Sequence, residues 1–448
     1  MNNLVKIKKG YNIELEGAAQ KEVIIYNSDY CAICPTNFRY VTPKLLVNEG
    51  DTVKVGTALF YDKNNEKILF TSPVSGVVER VKRGDKRRIE AIEIKSDKNN
   101  ESLTYDINTN NIDNVKEILL KSGLWVSIRQ RPYSCIANPE NIARDIYVSC
   151  FDSSPLGADI DDYVKSNYKY FRKGLDILGI LTNGNIYLGI NLANEQKGLY
   201  KDLSSDKIIV NKFEGPHPVG NVGIQIHHTK PINKGEVVWY LYPLDIIRIG
   251  YLFTNGTISA ETFIALAGTE VTKPCYIQTT IGANIAGLIK DNLKNQNVRI
   301  ISGNVLTGEK IEKDGYIGYY HNMITIIEEG DYYEMIGWAL PGLNKLSFSK
   351  TFLSALLPNK KLKIDTNFHG GERAFVMTGQ YEKVLPMDIM PMQLLKAALA
   401  GDIDLMEQLG IYEVDEEDFA LCEFICPSKI EIQSILREGI DLIRKEMN

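Results

Sequence analysis

Cysteine positions suggest iron–sulfur and zinc chemistry, but neither set of ligands is complete. Cys422 and Cys426, followed by a proline, form C-x3-C-P, the end of the bacterial ferredoxin run. A four-iron cluster needs four thiolates, and the two upstream positions hold no cysteine, so two buried apolar cysteines are the favoured interpretation. Cys31 and Cys34 have the spacing of a zinc or redox pair, yet no second pair accompanies them. We therefore predict no metal site.

Histidine, serine and glycine patterns are similarly incomplete. His217, His227 and His228 lie close together along the chain without an acidic ligand at fixed spacing, and no G-x-S-x-G motif is present. A dinucleotide or flavin site needs glycines that let backbone N–H groups approach the pyrophosphate. In residues 123–134 one glycine is followed by Leu, Trp, Val and Ile, whose side chains would hold a phosphate away. We predict no catalytic or cofactor-binding residue in this chain.

Composition limits the classes of protein that remain. The 448 residues carry 51 Lys plus Arg against 57 Asp plus Glu, a net charge of −6, so no global positive field attracts nucleic acid. With 44% hydrophobic residues, the chain has enough apolar material for several cores. Neither a signal peptide nor a bilayer-spanning segment is recognisable, and seven unpatterned cysteines argue against a disulfide-stapled secreted fold.

The elements that would position these residues change character along the chain, which predicts a multidomain α/β protein. In residues 1–100, turn glycines at Gly50 and Gly56 and the segment Ser72–Gly76 punctuate short strands, as in the hammerhead barrels of biotinyl and lipoyl carriers. Lys63 occupies roughly the position of the modified lysine, in what we predict to be a longer loop. A solvated lysine on a docking module is favoured over a modified one.

Three further units follow the barrel. Strands alternate with helices over 101–255, which predicts a Rossmann-like parallel α/β domain that lacks the nucleotide glycines. The order ββαββ over 256–332 predicts a small β-grasp domain. The final stretch, 333–448, is predicted to be mainly helical.

Read in order, these segments resemble the NqrA subunits of the bacterial sodium-translocating NADH:quinone oxidoreductases (Na+-NQR). The resemblance extends from Lys6 almost to the end of the chain. The motifs that carry it, specific in combination, are Glu49–Asp51 with Ser72–Gly76, Arg129–Ser134, Asp152–Asp159, Gly215–Pro218, Ile301–Gly308, Tyr381–Asp388 and Asp415–Asp418 with Cys422 and Cys426. Related NADH-binding flavoprotein subunits keep the flavin glycines and the four-cysteine clusters. The resemblance therefore implies a relative that kept the scaffold, with a soluble-ligand-binding-like (SLBB-like) grasp domain and a ferredoxin remnant, but lost its redox centres.

The resemblance also implies a function. Such a protein would be peripheral, on the cytoplasmic face of the bacterial inner membrane, without a transmembrane helix, and would have five other subunits as partners. Its closest partner would be NqrB, the flavin-bearing membrane subunit. NADH, flavins, iron centres and Na+ would belong to the complex, whereas this chain would bind no cofactor. Its contribution would be to the quinone-reduction step, semiquinone to quinol, coupled to Na+ export.

Candidate quinone-proximal residues follow from the resemblance. Arg129, Arg131, Tyr133 and Ser134 combine positive charge, an aromatic face and a hydroxyl, which can stabilise a quinone oxygen as it gains negative charge, and Pro132 fixes their backbone. Pairing of Arg131 with Asp152 to brace two loops is an equally good interpretation. His217 is a weaker candidate for proton donation. A second group of candidates is the loop Cys34, Pro35 and Thr36.

Two other functions remain open at this stage. One is an NADH-oxidising flavin or iron–sulfur subunit of a related electron-transport complex. The other is a lipoyl or biotinyl carrier modified on Lys63. Docking to partners is predicted for residues 338–342 and for the apolar stretch 348–357, which would equally suit a core helix.

Overall fold

The computed structural model describes residues 3–332, 342–343, 345–356 and 360–447. Of the predicted docking segment 338–342, only residue 342 belongs to these ranges. Residue 357, the last of the second predicted docking segment, also lies outside them. Within the described ranges the strands, numbered in chain order, are β1 Asn3–Lys6, β2 Gln20–Ile25, β3 Tyr30–Ile33, β4 Pro43–Leu45, β5 Thr52–Val53, β6 Ala58–Asp62, β7 Asn65–Thr71, β8 Gly76–Arg83, β9 Ile89–Ser96, β10 Arg129–Arg131, β11 Cys135–Ile136, β12 Ile146–Ser149, β13 Ile186–Asn191, β14 Ile208–Glu214, β15 Val238–Leu241, β16 Glu261–Ala267, β17 Cys275–Thr280, β18 Val298–Ser302, β19 Glu309–Ile311 and β20 Met323–Glu328.

The α-helices are distributed between the second unit and the carboxyl-terminal unit, with one short helix in the grasp domain. They are α1 Ile112–Lys121, α2 Asp161–Ser166, α3 Tyr168–Leu181, α4 Val222–Thr229, α5 Pro243–Asn255, α6 Ala286–Ile289, α7 Pro391–Ala400, α8 Ile403–Gln408, α9 Glu416–Ile425 and α10 Ile432–Met447. No helix in the described part of the chain is long and apolar enough to cross a bilayer.

The first unit is a barrel-sandwich built from two small antiparallel sheets, β3-β9-β8-β5 and β4-β6-β7. Gly50 and Gly56 adopt φ values of 91° and 94°, which side chains disfavour, and they turn the chain on either side of β5. Stacked Phe60 and Phe70 lie in the core between the sheets. The predicted barrel fold is confirmed.

The second unit carries a seven-stranded sheet in the order β1-β14-β13-β12-β15-β10-β11. β1, β14, β13, β12 and β15 run parallel, and β10 and β11 add an antiparallel edge. Helices α3 and α5 pack closely together because Gly174 and Gly250 lack Cβ atoms, which would lie within 2.2 Å and 1.8 Å of the facing carbonyl oxygens. Because β12 and β15 are adjacent and parallel, their carboxyl ends lie at the same edge of the sheet, and ligands of such sheets bind at this edge.

The grasp unit is a six-stranded mixed sheet, β19-β18-β20-β16-β17-β2. It contains the predicted order ββαββ with one additional strand, β19, before the last, and its edge strand β2 comes from the start of the chain. β1 likewise joins the sheet of the second unit, beside β14. Residues 3–25, which the sequence assigned to the barrel unit, thus connect the second and third units.

The carboxyl-terminal helices form a separate core that also includes Ile7, Phe213 and Ile224 from the second unit and its β1 strand region. Cys422 and Cys426 are both buried here, as predicted, and the Cys426 sulfur lies 2.9 Å from the Tyr381 hydroxyl. This unit therefore packs directly on the parallel sheet and closes one side of the edge described below.

Candidate functional site

A cavity of about 400 Å³ lies at the carboxyl ends of β12 and β15. Its floor includes Ser149 and Phe151, at and just beyond the end of β12, with Tyr240 and Tyr242 at and just beyond the end of β15. The grasp domain contributes residues 303–309 and 319–322 from its loops and β19, the barrel contributes Asn37 and Arg39, and the carboxyl-terminal unit contributes Asp415–Glu417. All four units therefore form its walls.

Arg129, on β10, lies in this cavity inside a cage of tyrosine rings. Its guanidinium carbon lies 4.4 Å from the ring centre of Tyr320, 4.6 Å from that of Tyr240 and 5.2 Å from that of Tyr242. The guanidinium is attracted to the electron-rich ring faces, which fix its position. Among the described residues no carboxylate lies within ion-pair distance of Arg129, and its buried Nε has no hydrogen-bond partner. The cavity thus contains a fixed cation with unused hydrogen-bond donors.

Tyr240, in β15, and Tyr242, just after it, add further donors. The Tyr242 side chain accepts a hydrogen bond from the backbone N–H of Asp245 at the start of α5, which leaves its own O–H free to donate. Tyr320, in contrast, donates to the carbonyl oxygen of Val126 at 2.6 Å. A neutral phenol donates one hydrogen bond, and burial raises the pKa of Tyr240 and Tyr242, so both stay protonated. An electron-rich ligand oxygen near Arg129 would therefore meet several donors at once.

His217 lies in the loop between β14 and α4 and also lines the cavity. Burial lowers its pKa to about 4, against the opposing influence of the Asp152 carboxylate, so the imidazole is neutral near pH 7. Its Nδ1 lies 3.0 Å from the Ser153 hydroxyl, and its buried Nε2 has no partner among the described residues. A neutral imidazole is not an acid at this pH, which disfavours the predicted role of His217 as a proton donor.

Arg131 does not line the cavity and is completely buried. It pairs with Glu417 at 2.6 Å and with Asp418 at 3.1 Å, and not with Asp152. The predicted pairing of Arg131 with Asp152 is therefore wrong, although Arg131 does join two segments of the chain through ion pairs, as that interpretation expected. The partner comes from a segment almost 290 residues away in sequence, which residue spacing does not reveal.

The acidic segment Asp415–Asp418 pairs with arginines from three units. Besides Arg131, Arg39 of the barrel lies 3.1 Å from Asp415 and also pairs with Glu416. Arg437 of α10 pairs with both carboxylates, with its Nε 2.8 Å from Glu416. This network joins the barrel, the parallel sheet and the carboxyl-terminal helices along one wall of the cavity.

The remaining candidates of the segment 129–134 differ in position. Ser134 is buried and lines the cavity, whereas Pro132 and Tyr133 do not. Pro132 follows a cis peptide bond, and the carbonyl oxygen of Tyr133 accepts a hydrogen bond from Arg437 at 3.3 Å. Of this segment, the structure therefore places Arg129 and Ser134 in the cavity.

The second group of candidates, Cys34, Pro35 and Thr36, lies beside the cavity without lining it. Pro35 begins a short 3-10 turn, Pro35–Asn37, that is buried at its start, and Thr36 is exposed. Burial raises the pKa of the Cys34 thiol to about 12, so it is not a reactive thiolate. Their neighbour Asn37 lines the cavity instead.

Several cavity residues were not predicted from the sequence. Tyr240, Tyr242, Tyr320 and His321 are the main ones, and burial followed by the charge of Arg129 lowers the pKa of His321 to about 4. Tyr240 and Tyr242 had a usable signal, because they stand at the carboxyl end of a predicted parallel strand. Tyr320 and His321 had no such signal in the sequence, because they belong to the grasp domain and reach this edge only through the packing of two domains.

In the segment taken for a phosphate loop, the apolar residues 124–126 do not line the cavity. Trp125 lies in a 3-10 turn, Leu124–Ser127, is fully buried, and donates from its indole to the carbonyl oxygen of Ala137 at 2.8 Å. It does not line the cavity. The loop that follows β12 at this edge is Cys150–Asp159, which contains one glycine, Gly157. The inference about missing phosphate contacts therefore rested on the wrong segment.

Lys63 also differs from its prediction. It forms, with Asn64, a two-residue turn between β6 and β7 rather than part of a longer loop, and its backbone N–H donates to the carbonyl oxygen of Thr42 at 2.9 Å. The predicted long loop is wrong because β7 already begins at Asn65.

Comparison with known proteins identifies the family. Three family models match the chain: the NqrA N-terminal barrel-sandwich hybrid domain at residues 5–97, the NqrA second alpha/beta domain at 110–258 and the NQRA C-terminal domain at 263–313. The NqrA protein of the Na(+)-translocating NADH-quinone reductase of Yersinia pseudotuberculosis is 37% identical over 99% of this chain and 100% of its own length. The chain belongs to the NqrA family. It is thus one subunit of an enzyme complex, as the resemblance implied.

Other relatives agree with this assignment. The NqrA of Hahella chejuensis is 38% identical over 99% of this chain and all of its own. A crystal structure of an NAD+-reducing NiFe hydrogenase in the air-oxidised state superposes with a TM-score of 0.40 at 8% identity, over 75% of this chain and 61% of that one. That superposition is too weak to carry an argument.

Proposed function

We propose that this NqrA family member supports the quinone-reduction step of a Na+-translocating NADH-quinone reductase by holding the quinone headgroup in the four-unit cavity. In this proposal the chain has no redox cofactor of its own. Electrons reach the quinone from flavins and iron centres elsewhere in the complex, the last step converts semiquinone to quinol, and the reaction drives Na+ export.

The observation that carries the proposal is the set of unused donors around Arg129. A quinone oxygen gains negative charge when it is reduced, and a fixed guanidinium together with phenol and imidazole N–H groups stabilises such an oxygen more than the starting carbonyl. Arg129 suits this task because its tyrosine cage holds the charge in place without neutralising it. A cavity of about 400 Å³ falls within the range of small-molecule sites.

The wider setting belongs to the same proposal. The chain would sit peripherally on the cytoplasmic face of the inner membrane, with five other subunits as partners. NqrB, the membrane subunit that carries a flavin, would lie next to the cavity opening. This arrangement is supported by the relatives' assignment to a Na+-translocating complex and by the cavity's location between units rather than inside one.

The proposal is tested by measuring the binding of ubiquinone-1 to the purified full-length chain with isothermal titration calorimetry. Replacing Arg129 with glutamine should weaken binding by about 10- to 100-fold, because a hydrogen bond to a charged group is worth roughly 1.5–3 kcal/mol. Arg129→Lys should retain part of the affinity. Arg88→Gln, an exposed arginine on the β8–β9 hairpin, serves as the matched control and should bind normally. Equal binding by wild type and Arg129→Gln would contradict the proposal.

One structural observation keeps a second function open. Carrier domains present their modified lysine on a tight hairpin turn, and Lys63 lies in a two-residue turn at the end of a barrel-sandwich. A lipoyl or biotinyl carrier is therefore an alternative for the first unit, and the intact mass of the chain isolated from its native cell distinguishes the two functions.

A further inference from the structure

Ser153 and His217 form a pair of groups in which each hydrogen-bond role can be assigned. The Ser153 oxygen accepts a hydrogen bond from the backbone N–H of Gly220 at 2.8 Å and lies 3.0 Å from His217 Nδ1. The close approach depends on Gly220, because a Cβ there would lie 2.8 Å from the same oxygen. In the described part of the chain the only other atom within hydrogen-bond distance of this hydroxyl is His217 Nδ1.

Proton counting then selects one tautomer of the imidazole. If the Ser153 hydroxyl donates to Nδ1, the ring proton lies on Nε2 and only that N–H lacks a partner. If Nδ1 carried the proton, the Ser153 hydroxyl would lose its acceptor and Nε2 would become an acceptor without a donor. The first arrangement leaves one hydrogen-bonding group unsatisfied and the second leaves two. The Nε2–H tautomer is therefore favoured by the cost of one unmade hydrogen bond, about 1–3 kcal/mol.

The histidine is also anchored from its backbone. Its N–H donates to the Asn12 side chain at 2.9 Å, and its carbonyl oxygen accepts from Tyr11 at 2.8 Å. The ring therefore has little freedom, and His217 is one of the residues that line the cavity, with its Nε2 buried. A buried donor that is held in place and has no partner among the described residues can donate to an acceptor atom of a ligand.

We propose that Ser153 is a positioning residue that fixes the Nε2–H tautomer of neutral His217, and that this N–H donates a hydrogen bond to a carbonyl oxygen of the bound quinone. The quinone part rests on the proposed function, whereas the tautomer part does not. The charged group that faces the ring is Asp152, whose carboxylate opposes the effect of burial on the histidine, and no proton leaves the imidazole in this role.

The tautomer is measured on the full-length chain labelled with ¹⁵N-histidine, using long-range ¹H–¹⁵N spectra between pH 6 and pH 8. His217→Gln assigns the signals. The wild-type chain should show an unprotonated, pyridine-type Nδ1 and a protonated, pyrrole-type Nε2 throughout this range. Ser153→Ala should move both shifts toward the average of two tautomers, and Ser153→Thr, which keeps the hydroxyl, should restore them.

A second serine–histidine pair provides the matched control. Ser302 lies 2.9 Å from Nδ1 of His321, so Ser302→Ala should change the His321 signals and leave those of His217 unchanged. A protonated Nδ1 in the wild type, a His217 that titrates between pH 6 and 8, or Ser153→Ala spectra identical to wild type would each overturn the positioning role.

Ubiquinone-1 binding tests the ligand part. Ser153→Ala should weaken binding about 2-fold, because averaging of the tautomers leaves the donor present for about half of the time. Ser153→Thr should bind like the wild type. If the tautomer responds as expected but ubiquinone-1 binds no variant, the quinone assignment fails while the assignment of Ser153 is supported. If ubiquinone-1 binds all variants equally, the hydrogen bond from His217 is refuted and the proposed function is not.

Discussion

Replacing Arg131 with methionine should destabilise the junction between the parallel sheet and the carboxyl-terminal helices. Methionine keeps most of the apolar volume but leaves Asp418 without its cation. In the wild type both side chains of this pair have no exposed area, and Arg131 lies 3.1 Å from one carboxylate oxygen of Asp418, whose other oxygen has no hydrogen-bond partner among the described residues. The partner that remains is therefore a buried and uncompensated carboxylate.

The expected loss in the free energy of unfolding follows from this geometry. Breaking a buried ion pair by removing one partner typically costs about 3–5 kcal/mol. Exposed pairs contribute roughly 0–1 kcal/mol, and the pair Lys67 with Glu140, in which both side chains are about two-thirds exposed, is an example in the same chain. Lys67→Met is thus the matched control. Arg131→Met/Asp418→Asn, which removes the stranded charge as well, should recover most of the loss.

The loss should also depend on pH. Burial raises the pKa of Asp418 to about 7, against the opposing charge of Arg131, and the unfolded value is about 3.9. The folded state therefore binds the proton more tightly, and stability falls as pH rises from about 4 to the folded pKa. Without Arg131 the folded pKa is higher still. Above pH 7 Asp418 therefore adds a loss of stability in the variant that the wild type lacks, of up to about 1.4 kcal/mol per pH unit.

Hydrogen exchange followed by mass spectrometry suits this test, because a chain of several units does not unfold in a single two-state step. Amides of α9, Glu416–Ile425, should exchange more than about 100-fold faster in Arg131→Met than in the wild type at pH 8, since each 1.4 kcal/mol is a factor of ten. The same peptides should change little in Lys67→Met. This account of the pair would be refuted if the exchange of α9 amides in Arg131→Met rose as little as in Lys67→Met, or if the increase did not vary with pH.

The other predictions concern three separate features. The intact mass of the native chain should equal that of the unmodified sequence, because a solvated lysine is the simpler interpretation of Lys63; an added lipoyl or biotinyl mass would contradict this. Gly17→Ala should lower the thermal midpoint, since Gly17 has φ of 91° and its Cβ would lie 2.2 Å from the Gly268 carbonyl oxygen, whereas Gly371→Ala, which has free space, should not. The visible spectrum of the purified chain should show neither flavin nor iron–sulfur absorption, and a bound yellow or brown chromophore would favour the NADH-oxidising alternative.

Much of the fold was predictable because it follows from local patterns. Turn glycines such as Gly50 and Gly56 indicate the barrel, and the helix that begins at Pro243 follows from the fixed φ of proline at a first helical position. The positions of β1 and β2 were not predictable. Each strand pairs with a partner more than 200 residues away, and pairing at that distance leaves no periodic signal in a short segment.

The candidate site was only partly predictable for the same reason. Arg129, Ser134 and His217 were identified by residue type, and the structure places all three on one cavity. Their surroundings come from other units: the ring of Tyr320 is contributed by the grasp domain and the carboxylates around Arg131 by α9 and the residue before it. The sequence therefore indicated which residues carry charge but not which of these charges is neutralised.

That distinction separates the two arginines of β10. Arg129 and Arg131 are two residues apart and point to the same side of a strand, and both lie near the ring of Tyr240, yet only Arg131 pairs with carboxylates. The adjacent carboxylates of Asp415 and Glu416 pair with Arg39 and Arg437, so the ion pairs that join the barrel, the sheet and the carboxyl-terminal unit form a wall of the cavity. A ligand that fits the closed cavity must favour the docked arrangement of these units, and docking must favour the ligand by the same free energy. If the cavity holds quinone as proposed, quinone binding is therefore coupled to attachment of the units, and Arg131 affects the ligand only through that coupling.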